Sequence, residues 1–261
     1  MDKQTVFQTF MRSIFGQDPG GVLGTQLVHL SELVSVEPGQ AARLDLRQDR
    51  VVYIARGATK LAALASHERE QIVAFQFAGD LVSIPRAEMH HYTVSALTST
   101  TLLVFPAGQF LDCISRENDA SRVVIERLRG ALHRCRDKTV ALGQKNALER
   151  VSSFLLAMAE RVGGAELNSC TLELPMSRRE IGDSLGLTIE TVSRQFSALR
   201  DIGLIATRGR AQVSLLDLQK LTAISGRCAD THVRNEKNPV FDSDQGRAQS
   251  AELAALTTGG K

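Results

Sequence analysis

Glu190, Ser193 and Arg194 stand at offsets of three and four residues, a spacing that sets all of them on one face of a helix. Their side chains suit the edges of base pairs in a major groove: a guanidinium grips guanine O6 and N7 together, and a carboxylate accepts from cytosine N4. Thr188, Thr191 and Gln195 add short polar groups to the same half of that helix, the half that reaches bases when a helix enters the groove. Ser177, Arg178 and Arg179 before it, and Arg208 and Arg210 after it, carry hydroxyl and guanidinium groups that contact phosphate or, like Thr188, Thr191 and Gln195, support the groups that meet DNA. Phosphate contacts hold a protein in register without reading sequence. The chemistry expected of the whole set is recognition, and no catalytic residue is assigned.

Holding these side chains in place calls for a helix-turn-helix, and residues 174–200, LPMSRREIGDSLGLTIETVSRQFSALR, read as one. Ser177 is a good N-cap, Glu180 can reach back to complete a capping box, and Ile181, Ser184 and Leu185 follow at helical spacing. Gly186 can take positive φ at the end of the first helix, and Thr188 can cap a second over residues 189–199. Helices joined so tightly cross steeply, which needs small residues where the backbones meet; Gly182, Gly186 and the inward Val192 lie at suitable offsets. An ordinary helical hairpin with a solvated polar face would give much of this pattern. The next residues favour DNA binding. Residues 204–206 and 213–215 read as short strands around a turn holding Arg208, Gly209 and Arg210, a wing of the kind that lies beside phosphates.

The run Glu190-Thr191-Val192-Ser193-Arg194, inside MSRREIGDSLGLTIETVSRQFSALRDIGLI, resembles the DNA-reading segment of the CRP/FNR superfamily, and its FNR and FixK-like branch most closely. The likeness is specific over the helix-turn-helix, the wing and the preceding NALERVSSFLLAMAER, and looser from residue 27 to residue 221. In that branch the E-x-x-S-R triplet reads the TTGA half of an inverted repeat, which implies base-reading roles for Glu190, Ser193 and Arg194. Ile189 and Ser193 stand where the cyclic-AMP-responsive branch has arginine and glycine, so the operator preference is similar to that of the FNR side. The resemblance further implies a homodimer on double-stranded DNA that activates transcription by touching RNA polymerase.

A length of 261 residues suggests one large or two ordinary domains, and 43% hydrophobic residues suffice for a core in each. A net charge of +2 gives no bulk attraction for nucleic acid, so a DNA surface must come from local clustering of Arg178, Arg179, Arg194, Arg208 and Arg210. Cys113, Cys135, Cys170 and Cys228 lie far apart with no C-x-x-C pair, which argues against a zinc site or a disulfide scaffold and fits a reducing cytoplasm. No stretch nears the roughly 20 apolar residues that span a bilayer, and no leader signature is seen, so no membrane is expected.

The organisation expected is a helical segment at 1–24, a β-roll at 25–117, a dimerisation helix at 118–143, a winged helix-turn-helix at 144–226 and a disordered tail at 227–261. The fold class is α+β. Val6, Phe7, Phe10, Met11, Ile14 and Phe15 repeat at helical spacing ahead of Asp18-Pro19-Gly20-Gly21. Residues 27–106 alternate apolar runs with turn signals, with candidate strands at 51–54, 71–75, 92–97 and 101–105, as an antiparallel barrel or jelly roll requires. The resemblance implies a cupin-like β-roll sensor there. A short helix at 108–114 precedes a long one at 118–142, on which Val124, Leu128, Ala131, Leu132, Cys135, Thr139 and Leu142 recur at heptad-like intervals. A helix facing its own core would show the same stripe. The family, however, packs this helix against its copy, and an inverted repeat needs two reading helices about 34 Å apart. The dimer interface is therefore expected at Val124, Leu128, Leu132, Cys135, Thr139 and Leu142. Gly143 and Gln144 read as a hinge into a helix at 146–161, whose Val151, Phe154, Leu155 and Met158 face a core.

The cyclic-nucleotide branch has a Gly-Glu pair followed by an Arg with a small hydroxyl residue. Here Gly79-Asp80 is followed by His91 or Tyr92 where that Arg would stand, and a buried phosphate without a cation is costly, so no cyclic nucleotide is expected. The iron–sulfur branch needs four thiolates, and no cysteine precedes Cys113. His90, His91, Cys113 and His133 are conceivable haem ligands, but a His pair in a loop is more often a surface feature, and no haem is expected. Cys135 and Cys170 are candidate redox switches, although an isolated cysteine is usually a small hydrophobe. The competing function is a cupin-like small-molecule- or metal-binding protein. It needs a group of His and carboxylate ligands, whereas His90 and His91 are adjacent with no His-x-His-x-Glu spacing around them.

Overall fold

The run Thr100–Pro106, TTLLVFP, is apolar almost throughout, as a strand covered on both faces must be, and the N-terminal half of the computed structural model is built around it. The structure describes residues 2–16, 20–64, 70–86, 91–163 and 168–227. The Asp18-Pro19 helix stop, His90, Cys228 and the tail beyond residue 227 lie outside the described residues.

In chain order the roll contributes α1 (Lys3–Phe15), α2 (Val22–Leu30), β1 (Glu32–Val36), β2 (Arg50–Arg56), β3 (Ala58–Leu64), β4 (Glu70–Phe77), β5 (Leu81–Ile84), β6 (Tyr92–Ala96), β7 (Thr100–Pro106) and α3 (Ala107–Ile114). Its strands pair antiparallel in two sheets, β1-β7-β2-β5 and β4-β3-β6. Alternation along β2 and β7 explains their continuous apolar sequence. Val52, Ile54, Leu102 and Val104 cluster with Leu61, Val94 and Ala96 of the second sheet. Val51, Tyr53, Leu103 and Phe105 point the other way and cluster with Phe7, Phe10 and Phe110 of the helices.

That second cluster shows where the N-terminal helical segment sits. The ring of Phe10 lies 5.1 Å from Phe105 and 5.2 Å from Tyr53, so α1 is part of the roll's core and not a separate segment. The expected boundary falls inside α2, so the alternating run read from residue 27 opens on the end of a helix before the first strand.

The second half runs α4 (Asn118–Gln144), α5 (Ala147–Val162), β8 (Cys170–Glu173), α6 (Arg178–Leu185), α7 (Ile189–Asp201), β9 (Ile205–Arg208), β10 (Gln212–Leu215) and α8 (Leu218–Ile224). Helix α4 continues through Gly143 and Gln144, correcting the expected hinge. The break comes at Lys145, in extended conformation (φ −94, ψ 142), and Asn146 then opens α5 with a capping box to Glu149. Strand β8 joins the expected wing pair in a sheet ordered β8-β10-β9. Of the one large or two ordinary domains that length allows, the halves are joined by a shared cluster beside the roll's own two. Ala62, Ile72 and Phe75 of β3 and β4 belong to the same buried cluster as Phe154, Leu155, Ile181 and Val192. Among the described residues no helix is long and apolar enough to cross a membrane.

Candidate nucleic-acid interface

Helix α6 starts where Ser177 and Glu180 cap each other: the Ser177 Oγ accepts from the Glu180 N–H at 3.2 Å, and the Ser177 N–H donates to Glu180 Oε2 at 2.8 Å. The Ser177 hydroxyl also donates to Glu180 Oε2, at 2.9 Å, so it serves the helix start. Gly186 ends α6 with φ 64, a left-handed conformation that a side chain would strain. Gly182 meets a different demand. A Cβ there would lie 2.5 Å from the Leu187 carbonyl oxygen, so the tight turn between α6 and α7 needs its hydrogen.

Thr188 caps α7, its Oγ1 accepting from the Thr191 N–H at 3.2 Å. Val192, Phe196 and Leu199 are buried, which turns Glu190, Ser193 and Arg194 outward into solvent. A short relay orders that outer face. The Thr188 and Thr191 hydroxyls are 3.1 Å apart, and Arg194 Nη2 donates to Thr191 Oγ1 at 3.2 Å. Thr191 thus orients the guanidinium, while half-buried Gln195 borders it. Arg208 and Arg210 are exposed at the wing turn, and Arg179 is exposed on the first turn of α6.

Arg178 departs from this pattern. Its guanidinium lies 3.1 Å from the ring centroid of Phe196, and burial pushes its pKa down to about 10. Of the two roles expected for Arg178, phosphate contact or support, the contact with Phe196 is of the supporting kind, a clamp between α6 and α7. Arg150, which the sequence reading missed, closes the opposite end. Its guanidinium donates to the carbonyls of Leu142, Lys145 and Leu185, satisfying the C-terminal turns of α4 and α6.

The model of the Crp-like helix-turn-helix domain matches residues 149–224. The nitrogen fixation regulation protein FixK of Rhizobium meliloti (strain 1021) is 32% identical over 214 residues, spanning 80% of this chain and 91% of that protein. The chain belongs to the CRP/FNR family, in its FixK branch. It is a DNA-binding transcription regulator. The transcriptional activator protein FnrL of Cereibacter sphaeroides is 30% identical over 188 residues, covering 70% of this chain and 76% of that one. The structure of FixK2 from Bradyrhizobium japonicum superposes with a TM-score of 0.66 at 30% identity, over 76% of this chain and 99% of that chain.

In this FixK-branch regulator α4 has two faces. Val124, expected in a dimer interface, is 3% exposed in the roll's own core, whereas its neighbour Ile125 is 56% exposed. Ile125, Leu128, Leu132, Cys135 and Thr139 follow at intervals of three and four and are all open to solvent. Leu142, also expected there, is half-buried and reaches toward Gly186. The same 3–4 spacing was legible in the sequence; what decides between Val124 and Ile125 is which one the roll covers. Cys170 is buried in the core cluster around α5, consistent with a packing role, and Cys135 is exposed on the open stripe. The Asp80 carboxylate accepts from the Phe77 N–H and from Arg161. Among the described residues no three His, Cys, Asp or Glu side chains converge to hold a metal.

Proposed function

We propose that the regulator is a homodimeric, cytoplasmic activator that reads an inverted repeat of TTGA type and touches RNA polymerase. In this reading it uses no cyclic nucleotide, iron–sulfur cluster or haem and catalyses no reaction. The observation that carries the reading is the outer face of α7: Glu190, Ser193 and Arg194 exposed together, with Arg194 oriented by Thr191. Arg194 and Glu190 specify the inner bases of each half-site by bidentate donation to guanine and acceptance from cytosine. Arg208 and Arg210 hold phosphate at the wing. The bare stripe on α4 supports pairing with a second copy, and relatives that carry the name of activator support the sign of regulation. Asp80 is engaged by Arg161 within the chain, which speaks against its serving a bound nucleotide.

Titration against an inverted TTGA duplex and a scrambled one, at several salt concentrations, tests the base-reading assignment. Arg194→Ala should cost about 1–3 kcal/mol on the TTGA duplex and little on the scrambled one. Arg208→Ala should weaken both alike and lower the salt slope by about one counterion. Equal loss on both duplexes for Arg194→Ala would remove the reading.

A further inference from the structure

The winged half meets the roll along β3 and β4. Ala62, Ile72 and Phe75 supply the apolar part, with the rings of Phe75 and Phe154 edge-on at 6.1 Å. Polar contacts surround it. Gln71 Nε2 donates to the Asp183 carbonyl at 2.7 Å, and the Lys60 ammonium sits 3.3 Å from Glu180 and 3.6 Å from Glu70. Arg161 donates to the Phe75 carbonyl and to Asp80 while lying over the Phe77 ring at 4.8 Å.

Lys138, on α4, stands where all three bodies meet. Its ammonium donates to the carbonyls of Ile72 and Val73 on β4 at 2.6 and 2.8 Å, and to Ser184 Oγ on α6 at 2.8 Å. These acceptors are neutral, and burial costs the charge: the pKa is pushed down to about 8, with Cys135 working against the shift. A side chain needed only to fill that space would be apolar, because a buried cation without a carboxylate is expensive. What the ammonium supplies is direction. Apolar contacts between β4 and α5 tolerate sliding and rotation, whereas hydrogen bonds converging on one nitrogen from two bodies do not.

Direction matters because the covalent link from α4 to the winged half is the single extended residue Lys145 followed by the Asn146 cap. A turn about Lys145 would carry α7 to a new place relative to α4 without breaking any helix. We infer that Lys138 is a positioning residue for DNA reading: by tying β4 and α6 to α4 it sets where each α7 stands relative to the dimer seam, and so the half-site spacing the dimer accepts. This rests on the dimeric, inverted-repeat reading proposed above.

The test compares the wild type with Lys138→Met on inverted TTGA duplexes, one with half-sites about 10 base pairs apart centre to centre and others roughly two base pairs longer or shorter. The wild type should prefer one spacing by at least about tenfold, since two recognition helices must enter successive grooves together. Lys138→Met should flatten that preference to within about threefold while still preferring TTGA to a scrambled half-site and still sedimenting as a dimer. A loss of stability would weaken binding to every spacing equally, so the ratio between spacings isolates positioning from folding. A variant that keeps the wild-type ratio overturns the inference, whatever its overall affinity. A wild type with no spacing preference overturns the inverted-repeat reading and this one with it. If Lys138→Met yields too little folded protein, Gln71→Ala with Ser184→Ala removes the α6-side bonds and leaves Lys138 its carbonyls; it should flatten the ratio in the same direction, and an unchanged ratio there overturns the inference equally.

Discussion

Arg178 and Arg194 flank the same turn and have the same chemistry, yet the fold uses them in opposite ways. Arg194 is exposed and leans on Thr191, as the proposed contact with a base edge requires. Arg178 lies on Phe196, withdrawn from solvent, and holds the two helices of the motif together. Their residue types told nothing of this difference, because the partner of Arg178 is across the turn on α7 and only the folded crossing brings it near. The two roles separate in solution. Arg178→Met should lower unfolding free energy by about 0.5–2 kcal/mol, the range of a partly desolvated cation–π contact. Its salt slope on DNA should match the wild type, because no phosphate contact is lost. A slope reduced by about one counterion would return Arg178 to the phosphate-binding set.

At the scale of elements, the sequence was most legible where local chemistry decides structure. The caps at Ser177 and Thr188, the left-handed Gly186 and the wing turn all lie where the residue types require. It was least legible where tertiary packing overrides local preference. Strand β3 reads ATKLAAL, rich in helix formers, and is a strand because β4 and β6 pair with it on both sides. Helix α2 starts without a side-chain cap and has Gly24 inside it, so its start signal is absent. Gly182 shows packing against propensity in miniature. Alanine should gain up to about 1 kcal/mol in an exposed helix, but here its Cβ would press on the Leu187 carbonyl, and overpacking costs about 1–3 kcal/mol. Gly182→Ala should therefore be net destabilising in urea titration and weaken specific DNA binding; a stabilised variant would mean that the turn can shift freely. The two faces of α4 give a paired prediction. Ile125→Glu or Leu132→Glu should produce folded monomers in sedimentation, whereas Val124→Ala should stay dimeric and lose about 1–3 kcal/mol of stability from the roll's core. Dimeric Leu132→Glu that binds DNA normally would exclude the α4 seam.

For the whole molecule the informative feature is the packing of the winged half directly on strands of the roll. Length left one large or two ordinary domains open, and nothing local in VAFQF of β4 marks it as a docking strand; only the folded chain sets Phe75 against Phe154. The buried ammonium of Lys138 gives this junction a pH signature. Its pKa is near 8 when folded, against 10.5 ordinarily, so between those values the unfolded chain holds a proton that the folded one has released. Unfolding free energy therefore rises with pH across that window, the contribution being complete above about 10.5 and lost as pH falls through about 8. Lys138→Met should show a flatter profile over the same range in chemical denaturation; parallel profiles would mean that the group titrates normally. The bare stripe of α4 carries a last consequence. Helix α4 is anchored to its own roll through Ala120 and Val124, which leaves Ile125, Leu128 and Leu132 for the proposed mate. In the proposed dimer, operator occupancy at low abundance then grows with the square of chain concentration, so doubling expression raises output roughly fourfold. On that reading, the cell's rate of making and destroying this chain becomes a signal in its own right, read by the promoter.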